Sequence, residues 1–173
     1  MSRSTFIVSV FVTLITLNAA HAAPSDAFNK TVTMSWSTSG MATSEDGQQR
    51  SYNNINTRTV YISSAGRTFL RMSLRGGKAA RSGERGPGEA SNGSVSLQGN
   101  RLLGVETFDG GARQYVATFD PGFTSCTLQV TDGKSGTANV KRKGPDGRMY
   151  SVTSTTGSPS CSVQSGNAFG GSQ

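Results

Sequence analysis

Histidine is almost missing from this chain. Among 173 residues the only one is His21, and it falls in a segment with the form of an export signal. Arg3 there precedes an apolar run from Phe6 to Leu17, broken only by Ser9, Thr13 and Thr16, and Ala20-His21-Ala22 has the A-x-A form that a signal peptidase reads. About a dozen residues are too few to span a hydrocarbon core of roughly 30 Å, and no cysteine follows the cleavage point to carry a lipid anchor. Residues 1–22 are therefore expected to be a signal peptide, and residues 23–173 a single mature domain with no membrane span and no histidine. Without an imidazole, Ser-His-Asp and Cys-His nucleophiles, histidine acid–base chemistry and histidine-bearing zinc or copper sites are closed to it. A Ser-x-x-Lys spacing, an EF-hand loop, a dinucleotide glycine fingerprint and a phosphate loop are also lacking. No cofactor and no metal is implied.

Large apolar side chains are scarce as well: Val, Leu, Ile and Phe supply only 23 of the 151 mature residues. A core this thin gains from a crosslink. In an oxidising compartment the two cysteines, Cys126 and Cys161, are expected to form one disulfide, closing a loop of about 36 residues. They sit in an internal echo, since Gly122 to Gln129 and Gly157 to Gln164 both read G-x-x-S-C-[ST]-[LV]-Q, with Ser94 to Gln98 as a shorter third copy. In each copy residues two apart share a strand face, so the cysteines meet in the core if both copies turn that face inward; the other explanation of the echo is compositional bias, since Ser, Thr, Val, Leu and Gln fill many strands here.

No stretch of a dozen mature residues carries a helical apolar stripe, and the dominant period is two. Val32, Met34 and Trp36 alternate with Thr and Ser across Thr31 to Thr38. Further strands are expected at Thr57 to Ile62, Thr68 to Leu74, Ser94 to Gln98, Arg101 to Thr107, Arg113 to Phe119, Cys126 to Thr131, Arg148 to Thr155 and Cys161 to Gln164, separated by Gly-Asn, Asp-Gly, Pro-Gly and Ser-Pro punctuation. This predicts an all-β domain of about nine short strands, either an antiparallel sandwich or a closed barrel. Ser39 to Asn56 reads as a long polar loop, and residues 76–93, with their glycines and arginines, as a flexible one. The strands are too short and too polar for an outer-membrane barrel.

Acidic residues offer little catalysis. Asp46, Asp109, Asp132 and Asp146 each precede glycine and Asp120 precedes Pro121-Gly122, which is turn chemistry, while Glu45, Glu84 and Glu89 read as loop residues. Only Glu106 lies in a strand-like run, without a facing second carboxylate. A carboxylate-dependent hydrolase or lyase would therefore rest on Glu106 with Tyr115 or Arg113, and would need Glu106 in a concave pocket with one of them in reach.

Charge carries the functional signal. Seventeen Lys and Arg stand against ten Asp and Glu over the whole chain, and the mature part keeps a net +6 once Arg3 leaves with the signal. Arg67, Arg71, Arg75, Lys78, Arg81 and Arg85 fall within 19 residues, and a second group is Lys141-Arg142-Lys143 with Arg148. Because Leu70, Met72 and Leu74 alternate inward, Arg71 and Arg75 are expected to face water. One reading is a solvated edge that discourages strand pairing between molecules. The other is capture of an anionic polymer, lipopolysaccharide or an acidic polysaccharide, in the periplasm or outside the cell. Nucleic acid is disfavoured, since Phe69 alone interleaves with the basic residues as a stacking platform. The build resembles that of short exported β proteins of Gram-negative bacteria, small envelope lysozyme inhibitors among them. That resemblance implies inhibition of an envelope-directed enzyme as an alternative, although a basic lysozyme would repel a basic partner. The expectation is thus a secreted, non-catalytic binding module with a basic surface.

Overall fold

The computed structural model describes residues 24–76, 83–90, 94–108, 111–133, 140–143 and 146–170. The expected signal peptide, Lys78, Arg81 and the Asp109-Gly110 turn lie outside them. The described chain is β apart from one 3-10 turn at Ser25–Ala27. Its ten strands are β1 Lys30–Ser44, β2 Gln49–Ile62, β3 Thr68–Gly76, β4 Gly83–Glu89, β5 Val95–Gln98, β6 Arg101–Phe108, β7 Gly111–Phe119, β8 Cys126–Gly133, β9 Val140–Lys143 and β10 Met149–Ser165. They form two antiparallel sheets, one in the order β4-β3-β2-β1-β10-β9 and the other in the order β5-β6-β7-β8. Both sheets end in edge strands, so the barrel alternative is excluded. Among the described residues no helix is long and apolar enough to cross a membrane.

Several expected boundaries are corrected. Ser39 to Asn56 is not a loop: β1 runs on to Ser44, a turn at Glu45–Gln48 reverses the chain, and β2 pairs back from Thr43↔Gln49 to Lys30↔Ile62. The apolar core involves β1 only as far as Trp36. Beyond it the strand is held by backbone pairing to β2 and β10, which leaves no periodic apolar trace. The two expected C-terminal strands are one, because Ser158-Pro159 is absorbed in an irregularity of β10 opposite Ser35–Ser37, where Ser158 takes φ +50°. Within the expected loop 76–93, Gly83–Glu89 forms β4, a fully exposed edge strand. Its Pro87 and charges suit an edge, where a missing N–H and a repelled neighbour cost nothing. Glu84 and Glu89 are accordingly strand residues, and Asp132 lies inside β8 instead of at a turn. β9 had no expected counterpart.

The inner faces of the two sheets change character along their length. At one end Val32, Val60 and Ile62 meet Leu102, Ala117 and Phe119 in a dry layer. In the middle Trp36 of β1 stacks on Tyr115 of β7, ring centroids 5.5 Å apart. Arg58, level with Met34, already interrupts the apolar row, and from the rings onward the inward positions turn polar, with Asn56 and Thr38 from the first sheet and Glu106, Arg113 and Asp132 in register across β6, β7 and β8. Cys126 and Cys161 form a disulfide with Cα atoms 5.5 Å apart, tying the start of β8 to β10 across the sheets. Both pack on the core, together with Leu128, Val130 and Val163.

Candidate functional site

The alternation that buries Val60 and Ile62 also carries Arg58 inward, opposite Met34 on β1 and Met72 on β3. A buried guanidinium must be compensated. Arg58 Nε and Nη2 engage both oxygens of Glu106, the second pair at 2.9 Å, and Nη1 donates to the Thr57 carbonyl at 2.9 Å and the Ser73 carbonyl at 3.3 Å. Its flat face lies 5.2 Å from the Trp36 ring centre. From the other sheet the Arg113 guanidinium lies 5.8 Å from the same ring while its Nε donates to Asp132 at 2.6 Å, and Asp132 also accepts from Thr156. One indole thus stands between two arginines, each tied to a carboxylate.

This polar end opens into a cleft of about 550 Å³ between the β3–β4 and β5–β6 regions, a size at which proteins commonly hold small ligands. Arg58, Glu106 and Tyr115 form its inner end. Leu70, Met72, Ala90 and Val105 provide apolar walls, and exposed Arg85 and Glu89 stand at the rim. Tyr115 is fully buried, and its ring lies over Gly104, directly opposite it on β6, so its hydroxyl points across β6 toward the cleft side. That hydroxyl has no hydrogen-bond partner among the described residues, nor has Trp36 Nε1. Burial, with the nearby Glu106 charge adding to it and Arg58 opposing, pushes the phenol well above its ordinary pKa. It is a protonated donor at any working pH.

Glu106 therefore does line a concave site with Tyr115 in reach, as a hydrolase or lyase would require. Both its oxygens are, however, committed to Arg58. No group of three or more His, Cys, Asp or Glu able to hold a metal occurs among the described residues.

The basic cluster is divided by the fold. Arg67 pairs with Glu89 at 2.6 Å and lies over Phe69 at 5.4 Å, and its hydrogen bond holds the Glu89 carboxyl below the usual range. Arg71 lies 3.5 Å from Glu84, donates to the Ala168 carbonyl at 3.5 Å and covers the Phe169 ring at 4.8 Å. It thus clamps a C-terminal segment that also bonds Thr31, whose hydroxyl donates to the Gly166 carbonyl and accepts from Ala168 N. Arg75 is exposed on the outer face, whereas Arg85, opposite Met72, lines the cleft. Neither has a carboxylate partner among the described residues. Lys78 and Arg81 lie outside those residues, and Lys141-Arg142-Lys143 forms β9 at the far edge of the same sheet.

Arg58 and Gly104 escaped the sequence reading, although a signal was present. Arg58, Val60 and Ile62 share one parity, as do Leu102, Gly104 and Glu106. Compared with family models, curated proteins and solved structures, the chain matches none.

Proposed function

We propose that this protein is an exported, non-catalytic binding module of the bacterial envelope, a two-sheet sandwich that takes an anionic ligand at the cleft between β3–β4 and β5–β6. One observation carries the reading: the cleft's half-buried carboxylate, Glu106, is neutralised by Arg58, while the cation at its rim, Arg85, has no carboxylate partner among the described residues. A site with satisfied internal charge and a spare positive charge at its mouth receives anions and leaves acid–base work without a free group. Lipopolysaccharide or an acidic polysaccharide is the ligand class that suits the envelope, with Arg75 extending the contact onto the outer face.

The test uses the mature protein, whose intact mass after export should begin at Ala23. Binding to lipopolysaccharide, an acidic polysaccharide and neutral dextran is measured at low and physiological salt. Binding to the anionic polymers should weaken steeply as salt rises. The Arg75→Ala/Arg85→Ala variant should lose affinity and salt slope, while alanine at Lys141, Arg142 and Lys143 should change little. Equal binding by wild type and both variants, or no binding at low salt, overturns the reading.

A second reading is favoured by one specific observation, that Glu106 and Tyr115 share the cleft. It is a hydrolase or lyase acting on such a polymer, and it requires turnover that Glu106→Gln abolishes.

A further inference from the structure

The cleft has three chemically distinct parts, and together they specify a narrower ligand than an anionic polymer in general. Its walls are apolar over Leu70, Met72 and Ala90, with Val105 at the β6 side. The inner end holds the Tyr115 hydroxyl, completely buried with no acceptor among the described residues. A buried donor without an acceptor costs roughly 1–3 kcal/mol. A bound oxygen would remove that cost. The outer end holds Arg85, a cleft cation with no carboxylate partner among the described residues, since Arg58 is tied to Glu106, and Glu89 at the rim is tied to Arg67.

Resting on the binding reading above, we infer that the cleft receives an amphipathic monoanion: an aliphatic body along the apolar walls, a carboxylate or equivalent single anion at Arg85, and an uncharged hydroxyl or carbonyl oxygen accepting from Tyr115. A cleft of about 550 Å³ accommodates an acyl chain of this kind. The ligand is either a free acid or the lipid part of a larger envelope glycolipid, in which a phosphate would take the carboxylate's place at Arg85. Gly86 keeps the rim close to β3. It takes φ +91°, and a Cβ there would stand 2.5 Å from the Leu70 carbonyl oxygen, so the approach of Arg85 to the apolar wall depends on glycine.

The molecule contains its own reporter. Trp36 is the single tryptophan, stacked on Tyr115 and covered by Arg58, and both of those line the cleft. Its emission is recorded while the mature protein is titrated with ω-hydroxydecanoate, decanoate and decanediol, and a short-chain glycolipid phosphate is added as a fourth arm to separate a free acid from a glycolipid. The hydroxy acid should produce a saturable change and bind about tenfold more tightly than the diol, the scale of one hydrogen bond to a charged group. Arg85→Gln should erase the preference for acid over diol. Tyr115→Phe removes only an unpartnered hydroxyl and so should fold normally. It should bind decanoate as wild type does while losing the several-fold advantage of the hydroxy acid. A diol that binds as tightly as the acids, or an Arg85→Gln variant that keeps the acid preference, overturns the inference. If every amphiphile fails while lipopolysaccharide or acidic polysaccharide still binds with the expected salt dependence, the amphiphile class falls and the binding reading stands. If no anionic probe binds, both fall.

Discussion

Gly104 decides where the Tyr115 ring can lie. A Cβ at this position on β6 would stand 2.0 Å from the Tyr115 ring carbons and 2.4 Å from its hydroxyl. The ring can lie across the strand, stack on Trp36 and send its hydroxyl toward the cleft only because nothing projects from β6 beneath it. The ring is fully buried and would have to leave its stack on Trp36, so Gly104→Ala is expected to destabilise the fold by about 1–3 kcal/mol, as overpacking of an interior does. Urea denaturation followed by Trp36 emission reads both the loss of stability and the displaced ring. A variant as stable as wild type with an unchanged emission maximum would show that the ring does not lie as described. Gly104 was legible only as a break in an apolar row. The parity of Leu102, Gly104 and Glu106 was visible in the sequence, but which ring needed the vacancy was decided on β7.

Among the turns, Asp120 to Ser125 is the most tightly specified. Asp120 Oδ1 accepts from the backbone N–H groups of Thr124 at 2.7 Å and Ser125 at 2.8 Å, and Oδ2 accepts from the Thr124 hydroxyl at 2.7 Å. Phe123 takes φ +51° within this ring of bonds and stacks on Phe119 at 4.8 Å, so the turn delivers an aromatic side chain to the core just before Cys126. The Thr124 hydroxyl above all, then the backbone donors, hold the Asp120 carboxyl down at about 2. The sign follows from linkage. A carboxylate whose folded pKa lies below its unfolded one stabilises the fold above the unfolded value, near 4, and that contribution is lost as pH falls toward 2. A carboxyl NMR titration should therefore place Asp120 near 2, and protection of the Thr124 and Ser125 amides should fall over the same range. Titration of Asp120 near 4 would mean that the turn bonds do not persist in solution. The Asp-Pro-Gly sequence announces this turn because each residue's local preference agrees with it. The same local logic misplaced Asp132-Gly133, where pairing of β8 to β7 and the Arg113 guanidinium override the turn preference.

For the molecule as a whole, the disulfide is the covalent link between two sheets whose shared dry core is small. It joins positions 35 residues apart, one on each sheet, and it sits against the apolar core, Cys161 lying opposite Met34 on β1 and Cys126 opposite Phe119 on β7. Replacement of both Cys126 and Cys161 by Ser should lower stability by about 2–4 kcal/mol. Chemical denaturation of the double variant beside the oxidised protein measures this, and free-thiol titration of exported material should find no reactive thiol. Two reactive thiols per chain, or a double variant of equal stability, would make the link dispensable. The half-buried ion pairs between the sheets add little net stability, because desolvation offsets most of their attraction. Their contribution is to position Trp36 and to leave Arg85 as the cleft charge without a carboxylate partner among the described residues.

By itself the sequence determined the all-β class, the inward parity of most strands, the pairing of its two cysteines and the turns at Asp46, Asp120 and Asp146. These follow from interactions between near neighbours, from a period of two or from the presence of only two cysteines, which persist whatever the strand order. Tertiary structure alone decided that β1, β2 and β10 continue past the apolar core, that Gly83–Glu89 is an edge strand, and that Arg85 does not share the face of the sheet that carries Arg71 and Arg75. Arg67 and Arg71 are met by Glu89, Glu84 and the C-terminal segment, and Arg85 turns to the opposite face of the sheet from Arg75. It also decided that Arg58 and Glu106, 48 positions apart, meet between the sheets. The physical reason is that a charge's partner and a cleft's walls come from strands distant in sequence. Period and propensity describe one strand at a time and carry no information about which strand will lie opposite.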